Sequence, residues 1–195
     1  MSLSHRIDIN HYLKSYPIAD WVRIIWKKYA ATPLGCSKTL SRFSSPSEEF
    51  GVLYCAESIA TSIAETIVRD RFEAVHQSDR WIHISEIEDR SLLTISSCQS
   101  LTLLDLTPPN STKIGINTDA VGARSHAQGQ ALSKDLYENV PKADGIYYRS
   151  RITGGDCIVV FDRSTSKLIS KKPDELVRVR DVTSELQALD VAVRN

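Results

Sequence analysis

The sequence lacks an excess of charge of either sign and any long hydrophobic run. Lysine plus arginine equals aspartate plus glutamate at 24 each, so the 195-residue chain has a formal net charge of zero. A neutral chain has no overall field that would favour nucleic acid or an acidic membrane surface. It contains no run of about eighteen apolar residues, and its first residues show no secretory signal pattern. We therefore expect a soluble cytoplasmic protein that binds neither nucleic acid nor membrane directly.

The common signatures of metal and nucleotide binding are also missing. The four cysteines form no CxxC pair and have no neighbouring histidine at metal-ligand spacing, so we predict no metal site. GxGxxG, GxxxxGK, HExxH and GxSxG are all absent, which leaves the usual dinucleotide, triphosphate, zincin and hydrolase interpretations without support. Cys55 and Cys157 lie in apolar runs, where cysteine usually acts as a small buried hydrophobe.

The chain mixes strand-like and helix-like segments without regular alternation, which predicts an α+β domain. Segment 20–28 fits either a strand or a short helix, and segment 31–49 reads as a loop. A helix is predicted over 120–139 and ends before Pro141. The tail is predicted to be polar and frayed. The predicted strands are 50–56, 80–88, 92–97, 101–107, 144–150, 156–163 and 175–182.

One segment, VLYCAESIATSIAETIVRDRF, predicts a strand followed by an amphipathic helix. Ser58 can cap the helix, and apolar residues continue at helical spacing as far as Val75. Glu65 falls near the edge of the apolar stripe, one turn before Arg69. That order suits a surface ion pair of about 0.3 kcal/mol. From these residues alone, Glu65 is either a solvated surface residue or part of a site.

Three stretches together resemble the RES domain family, which is named for a prominent arginine, glutamate and serine. They are Arg42-Phe43, the block from Gly51 to Glu65, and the string DGIYYRSR. The resemblance runs from about Trp21 to Phe161 and implies a fold similar to ADP-ribosyltransferases, with mixed or antiparallel sheets flanked by helices. We expect a single domain over 1–195, with a core at about 21–163, an N-terminal extension at 1–20 and a C-terminal segment at 164–195.

Four positions match the family's pattern: Arg42, Tyr54, Glu65 and Ser150. The chain departs from the pattern at Ser41, where family members usually carry glycine before the arginine. Because of this departure, Arg23 is kept as a second candidate for the arginine's role in binding the substrate.

The resemblance also implies a function. Characterised members of the family consume NAD, and the family includes toxins of bacterial toxin-antitoxin pairs whose partner is an Xre-like helix-turn-helix antitoxin. We therefore expect a toxin that cleaves the nicotinamide-ribose bond by hydrolysis or phosphorolysis and arrests growth, with NAD as substrate and no cofactor. The alternatives are a mono-ADP-ribosyltransferase that modifies a host protein and an inactive module that only binds a partner. A homodimer or a larger toxin-antitoxin assembly is compatible with each of these three functions.

The matched residue types suit this chemistry. Breaking the bond to nicotinamide builds positive charge on the ribose, which a fixed carboxylate such as Glu65 would stabilise. Arg42 would clamp the diphosphate with two parallel charge-assisted hydrogen bonds. The ring of Tyr54 would stack on nicotinamide. Ser150 would either bind the nicotinamide ribose or position Glu65.

Overall fold

A computed structural model of the protein describes residues 8–116 and 126–195. The strands are β1 Leu13–Tyr16, β2 Trp21–Trp26, β3 Val52–Ala56, β4 Trp81–His83, β5 Arg90–Ser97, β6 Leu101–Asp105, β7 Gly145–Arg149, β8 Asp156–Phe161, β9 Leu168–Ser170, β10 Asp174–Glu175 and β11 Ala192–Arg194. Nine of them form one sheet in the order β1-β6-β7-β8-β3-β2-β5-β10, with β9 paired to β5. The small second sheet consists of β4 and β11.

The helices are α1 Ile59–Ile63, α2 Ser85–Glu88, α3 Asn110–Lys113, α4 Ala127–Asn139 and α5 Val182–Ala188. Four of these five helices among the described residues have seven residues or fewer, and the fifth, α4, has 13. Ser58 caps α1, as predicted, because its side chain accepts the N–H of Thr61. Most strand pairs are antiparallel, and only β6–β7 and β4–β11 are parallel among the described strands. Within the described residues, no helix has the length and apolar character needed to cross a membrane.

Alternate residues of the central strands point to opposite faces of the sheet. On one face, the side chains of β3 and β8 pack against α4, in a group that we call the α4 cluster, which includes Val52, Phe161 and Leu136. On the same face, β2 and β5 pack against α1 and α5, in what we call the α1 cluster, which includes Ile24 and Ile63. The sheet therefore carries two separate apolar cores side by side on one face.

The sheet opens between these two cores. β2 and β3 share a single registered pair, Val22 with Ala56, whereas β2 pairs with β5 over its whole length. Beyond that pair the edge of β3 is instead bridged by a loop residue, Ser37, which exchanges backbone hydrogen bonds with Val52. The divergence of β2 from β3 leaves a gap in the sheet that the functional site occupies.

Several predicted elements agree with the structure. Segment 20–28, whose sequence fits either a strand or a short helix, contains the strand β2. The predicted strands at 50–56, 101–107, 144–150 and 156–163 contain β3, β6, β7 and β8, and the predicted strand at 92–97 lies within β5, which begins two residues earlier. Cys55 and Cys157 are buried, at 4% and 1% exposure. The predicted helix over 120–139 is present as α4, and its first residues lie outside the described ranges.

Three predictions of secondary structure are wrong. The helix after β3 ends at Val68 instead of Val75, because the backbone of Arg69 turns to a φ of 40°. The strand predicted over 80–88 stops at His83 and gives way to α2. Segment 175–182 contributes only its first residue, Glu175, to the short strand β10 and then forms a turn of 3-10 helix over Leu176–Arg178.

The prediction of a frayed tail is also wrong. Val182 and Leu186 stand four residues apart on α5, so they share a helix face, and both are buried in the α1 cluster. After α5, β11 pairs in parallel with β4. The last residues are therefore held by burial and by backbone hydrogen bonds.

Candidate active site

A cleft of about 370 Å³ lies where β2 and β3 diverge. This volume falls in the range of small-molecule sites. The cleft is lined by Arg42, Tyr54 and Glu65, three of the four positions that match the family pattern, and by Arg23. These side chains come from β2, β3, the helical segment that follows α1 and the loop before β3. The structure thus brings together residues that are widely separated in sequence.

Ser150, the fourth matched position, lies behind Glu65 and is 3% exposed. Its hydroxyl donates a hydrogen bond of 2.7 Å to Oε1 of Glu65. Oγ of Ser150 also accepts hydrogen bonds from the backbone N–H groups of Ile152 and Thr153, at 3.2 and 3.3 Å. A serine hydroxyl has one proton to donate and two acceptor positions, so these three contacts use its full capacity. Of the two roles considered for Ser150, the geometry favours positioning of Glu65.

The turn that carries Ser150 is fastened to the start of α1. Oγ1 of Thr153 lies 3.0 Å from Oγ1 of Thr61 and accepts the N–H of Gly155 at 3.2 Å. A larger residue at position 155 would displace these side chains, because an added Cβ would collide with Oγ1 of Thr61 and lie 2.8 Å from Oε1 of Glu57. The sequence pattern does not single out these supporting residues, although the Gly-Gly pair before Asp156 is a turn signal.

Glu65 sits on a π-helical continuation of α1, Ala64–Val68. The N–H of Arg69 bonds to the carbonyl of Ala64, five residues back, at 2.7 Å. Arg69 has a positive φ, a conformation that is rare for residues with a side chain. Both Glu65 and Arg69 are described, and no ion pair within 4.0 Å joins them. Both line the cleft instead, so the surface ion pair considered from the sequence is not formed.

Tyr54 holds the loop that presents Arg42. Its hydroxyl accepts the backbone N–H of Phe43 at 2.9 Å and lies 2.9 Å from Oγ of Ser41. These two contacts flank Arg42 on both sides. Burial raises the pKa of Tyr54, so the hydroxyl stays protonated. The hydroxyl is therefore engaged by the loop, while the tyrosine also contributes to the cleft wall.

The second arginine candidate, Arg23, is bound to the protein's own backbone. Its Nη1 donates to the carbonyl of Pro33 at 3.1 Å, and its Nη2 donates to the carbonyl of Gly35 at 2.9 Å. Burial lowers the pKa of its guanidinium group. Arg23 thus fastens the loop across the gap between β2 and β3, whereas the half-buried Arg42 faces the cleft.

Positive charge gathers around the Arg42 end of the cleft. The pKa of His126 is lowered, first by burial and then by the nearby charges of Arg42 and Arg69. His126 immediately precedes α4, whose Gln130 donates a hydrogen bond of 3.0 Å to the carbonyl of Ser41. The two arginines therefore produce a local potential that suits an anion.

Tyr148 and Cys157 line the cleft, and both are buried. Tyr148 is 5% exposed, and its ring lies 5.2 Å from that of Phe43. Burial raises the pKa of Tyr148 and of Cys157, and the charge of Glu65 raises both further. Neither group is ionised near neutral pH, so Glu65 faces no competing negative charge from them.

This arrangement combines a fixed carboxylate with cations in one partly desolvated cleft. A carboxylate held in place stabilises positive charge that develops beside it, and arginines bind phosphate groups. Within the described residues, no group of three or more histidine, cysteine, aspartate or glutamate side chains is placed to hold a metal ion. The cleft can therefore support chemistry on an anionic ligand that becomes cationic at its reacting carbon.

Comparison with known proteins gives three findings. The model of the RES domain matches residues 20–183 of this chain. The chain is similar to the probable toxin y4kH of Sinorhizobium fredii, with 34% identity over 105 residues that cover 54% of this chain and 83% of that protein. It is also similar in fold to the crystal structure of the M. tuberculosis MbcT–MbcA toxin–antitoxin complex, with a TM-score of 0.67, 19% identity, and coverage of 89% of this chain and 91% of that chain.

Proposed function

The chain belongs to the RES domain family, and on this premise we propose that it is an NAD-consuming toxin of a toxin–antitoxin pair. The proposed reaction is cleavage of the bond between nicotinamide and ribose. NAD is the substrate, and no further cofactor takes part. The observation that carries the proposal is the hydrogen bond from Ser150 to Glu65, which fixes a carboxylate on the wall of a cleft that also holds Arg42.

The proposed role of Glu65 follows from the charge that the reaction develops. As nicotinamide leaves, the ribose becomes oxocarbenium-like and positive at the carbon that loses its bond. A carboxylate that is already oriented stabilises this charge without reorganising. Nicotinamide leaves as a neutral molecule, because the bonding electrons neutralise its ring nitrogen. The departure therefore needs no proton from the protein.

The proposed role of Arg42 and Arg69 is to bind the diphosphate. Both line the cleft, and the positive charge of each lowers the pKa of His126. Arginine pairs with phosphate oxygens through two parallel hydrogen bonds, which fixes the orientation of the substrate as well as its position. Tyr54 supports this binding indirectly, because its hydroxyl holds the residues on both sides of Arg42.

The acceptor of the ribosyl group is water, phosphate or a protein side chain. The same carboxylate and arginines serve all three acceptors, so the alternative of mono-ADP-ribosyl transfer uses the same site. We propose degradation as the main reaction, by hydrolysis or phosphorolysis.

The partner that we propose is an Xre-like helix-turn-helix antitoxin. The proposal is supported by the solved structure of similar fold, whose title describes a toxin–antitoxin complex. The cleft rim offers an apolar contact, because Leu40 is 69% exposed and stands between the lining residues Thr39 and Ser41. Co-purification with an antitoxin encoded beside this chain tests the partner directly.

The test of the reaction is nicotinamide release from NAD by the purified protein, with and without phosphate. We expect release by the wild type and a loss of at least about a hundredfold for Glu65→Gln, which keeps the size of the side chain and removes its charge. Glu88→Gln, on the exposed surface of α2, is the matched control and should behave as wild type. Absence of release under every condition, with Glu65→Gln equal to wild type, would overturn the proposal.

Two further measurements separate the alternatives. Labelling of proteins by biotinylated NAD distinguishes transfer from degradation. Expression in bacteria distinguishes an enzyme from an inactive binding module: we expect growth arrest that Glu65→Gln relieves and the antitoxin suppresses. Harmless expression of the wild-type protein would favour the inactive module.

A further inference from the structure

Trp26, the last residue of β2, presents a large aromatic ring to the cleft. It lines the cleft, and 45% of its surface is exposed. Tryptophan is usually largely buried in a folded domain, and its exposed indole offers a flat apolar face. The roles proposed for Glu65, Arg42 and Arg69 do not involve this ring.

Arg90 supports the ring from one side. Its guanidinium carbon lies 4.1 Å from the centre of the Trp26 ring, and the two residues are directly opposite in the β2–β5 register. Arg90 is 7% exposed, and its Nη1 donates to the carbonyl of Glu86. The carboxylate of Glu86 lies 3.9 Å from Arg90 and forms an ion pair of 2.7 Å with Arg71. The indole therefore rests on a buried, anchored cation and is held in one orientation.

A second tryptophan shows which of these features matters. Trp81 is 40% exposed and packs against Arg194, with 5.0 Å from the guanidinium carbon to the ring centre. It belongs to the small β4–β11 sheet, away from the cleft. Exposure and a neighbouring arginine are thus shared by both residues, and the position in the cleft distinguishes Trp26.

Trp26 and Glu65 belong to different walls of one cleft. Trp26 ends β2, whereas Glu65 lies on the segment after α1, and both residues line the cleft. Among the described residues that line the cleft, Trp26 is the most exposed aromatic one. A dinucleotide whose reacting ribose lies at Glu65 has its second base elsewhere along the cleft, and Trp26 offers that base an exposed ring.

We propose that Trp26 is the platform on which the adenine ring of NAD stacks. The buried guanidinium of Arg90 keeps the indole in place, so little conformational freedom is lost when the base binds. The stack places adenine on the β2–β5 side of the cleft, with the diphosphate at the arginines. This assignment rests on the proposed function for the identity of the ligand, because any adenine nucleotide presents the same ring.

Equilibrium binding of AMP, ADP-ribose and nicotinamide mononucleotide tests the assignment without any turnover. We expect Trp26→Ala to weaken binding of AMP and ADP-ribose roughly tenfold, the range for loss of one base–aromatic stack, and to leave nicotinamide mononucleotide unchanged. Trp26→Phe keeps a ring over Arg90 and should retain most of the affinity. Trp81→Ala is the matched control and should bind all three ligands as wild type does.

The outcomes separate this assignment from the proposed function. Unchanged AMP binding by Trp26→Ala, or equal losses for AMP and nicotinamide mononucleotide, would overturn the platform. If the protein cleaves NAD but its AMP binding does not depend on Trp26, the assignment of Trp26 as the adenine platform is overturned and the proposed reaction stands. AMP binding that depends on Trp26, in a protein that releases no nicotinamide, would keep the platform and overturn the proposed reaction. If Trp26→Ala unfolds, Trp26→Phe and Trp26→Leu carry the comparison, since only the first retains an aromatic ring.

Discussion

The Ser150 hydroxyl lies 2.7 Å from Oε1 of Glu65, and this hydrogen bond links the two apolar cores that lie side by side on one face of the sheet. Glu65 belongs to the helical segment whose apolar side packs into the α1 cluster, while Ser150 directly follows β7, a strand that packs into the α4 cluster. The direction of this hydrogen bond is fixed, because two backbone N–H groups occupy the acceptor positions of the serine. The orientation of the carboxylate thus depends on the packing of both cores.

Removal of the Ser150 hydroxyl should reduce turnover. A hydrogen bond to a charged group contributes about 1.5–3 kcal/mol, so we expect Ser150→Ala to lower kcat for NAD roughly tenfold to a hundredfold. KM should change little, because Ser150 is buried behind Glu65. Steady-state kinetics of nicotinamide release measures both constants.

The chain offers a matched control for this substitution. Ser164 is also buried and donates a hydrogen bond of 2.7 Å to a carboxylate, that of Asp144, outside the cleft. Ser164→Ala should lower the melting temperature and leave kcat unchanged. Equal kcat for Ser150→Ala and wild type would refute the positioning role.

Tyr54→Phe should loosen the loop that presents Arg42. The substitution keeps the ring and leaves the N–H of Phe43 without its acceptor, which costs about 1–3 kcal/mol of stability. We expect a higher KM for NAD and a lower melting temperature. Tyr137→Phe, which removes a 3.0 Å hydrogen bond to Asp162 away from the cleft, should affect the melting temperature without affecting KM. An unchanged KM for Tyr54→Phe would mean that the loop holds Arg42 without help from the hydroxyl.

Substitution of Arg42 should mainly affect substrate affinity, whereas substitution of Arg23 should mainly affect stability. Arg42→Gln should raise KM for NAD at least tenfold, the loss of one charge-assisted contact, and should leave the melting temperature near that of wild type. Arg23→Gln should mainly lower the melting temperature, because it releases the carbonyls of Pro33 and Gly35. Thermal unfolding and kinetics on the two variants provide the comparison. The reverse pattern would assign the substrate-binding role to Arg23.

His126 should make the protein less stable in mild acid. Its pKa lies below the ordinary value of 6.5, so as the pH falls below that value the unfolded chain takes up a proton that the folded chain does not. The free energy of unfolding should therefore decrease as the pH is lowered from about 6.5. Carboxylates with a lowered pKa, such as Glu86, add their own loss only at lower pH, below an ordinary value of 4.5.

Denaturant unfolding at several pH values between about 7 and 5 measures this effect. His126→Asn should reduce the loss of stability in that window. Arg69→Gln should reduce it as well, because it removes one of the charges that repel the protonated imidazole. Asp70 acts in the opposite direction by favouring protonation, so Asp70→Asn should increase the loss. The same slope in His126→Asn and wild type would contradict the prediction.

The α+β RES fold was predictable from the sequence, and it is confirmed. The central strands were recognised because short apolar runs ended at clear turn signals. The end of the helix at Val68 was not, since Phe72 keeps the helical spacing of apolar residues and is buried at 8% exposure although it lies in a turn. Apolar spacing reports burial, and it does not report the backbone angle at Arg69.

The candidate site was only partly predictable. The matched arginine, tyrosine and glutamate line one cleft, while their catalytic roles stay predictions. The hydroxyl of Tyr54 is occupied by its own loop, a contact that depends on how segment 31–49 packs and that no local pattern encodes. Trp26 gave no signal either, because an aromatic residue at the end of a strand is most often part of a core.

The hydrogen bond between Glu65 and Ser150 joins two residues that are synthesised at different times, and this matters for a chain that is still being made. The two residues are separated by 85 positions, and Ser150 is made second. A nascent chain that has not yet extended past the turn at 150–155 has no hydroxyl to orient the carboxylate, even if α1 has already formed. The chain therefore acquires an oriented carboxylate only after the turn that carries Ser150 has been made and has packed against α1.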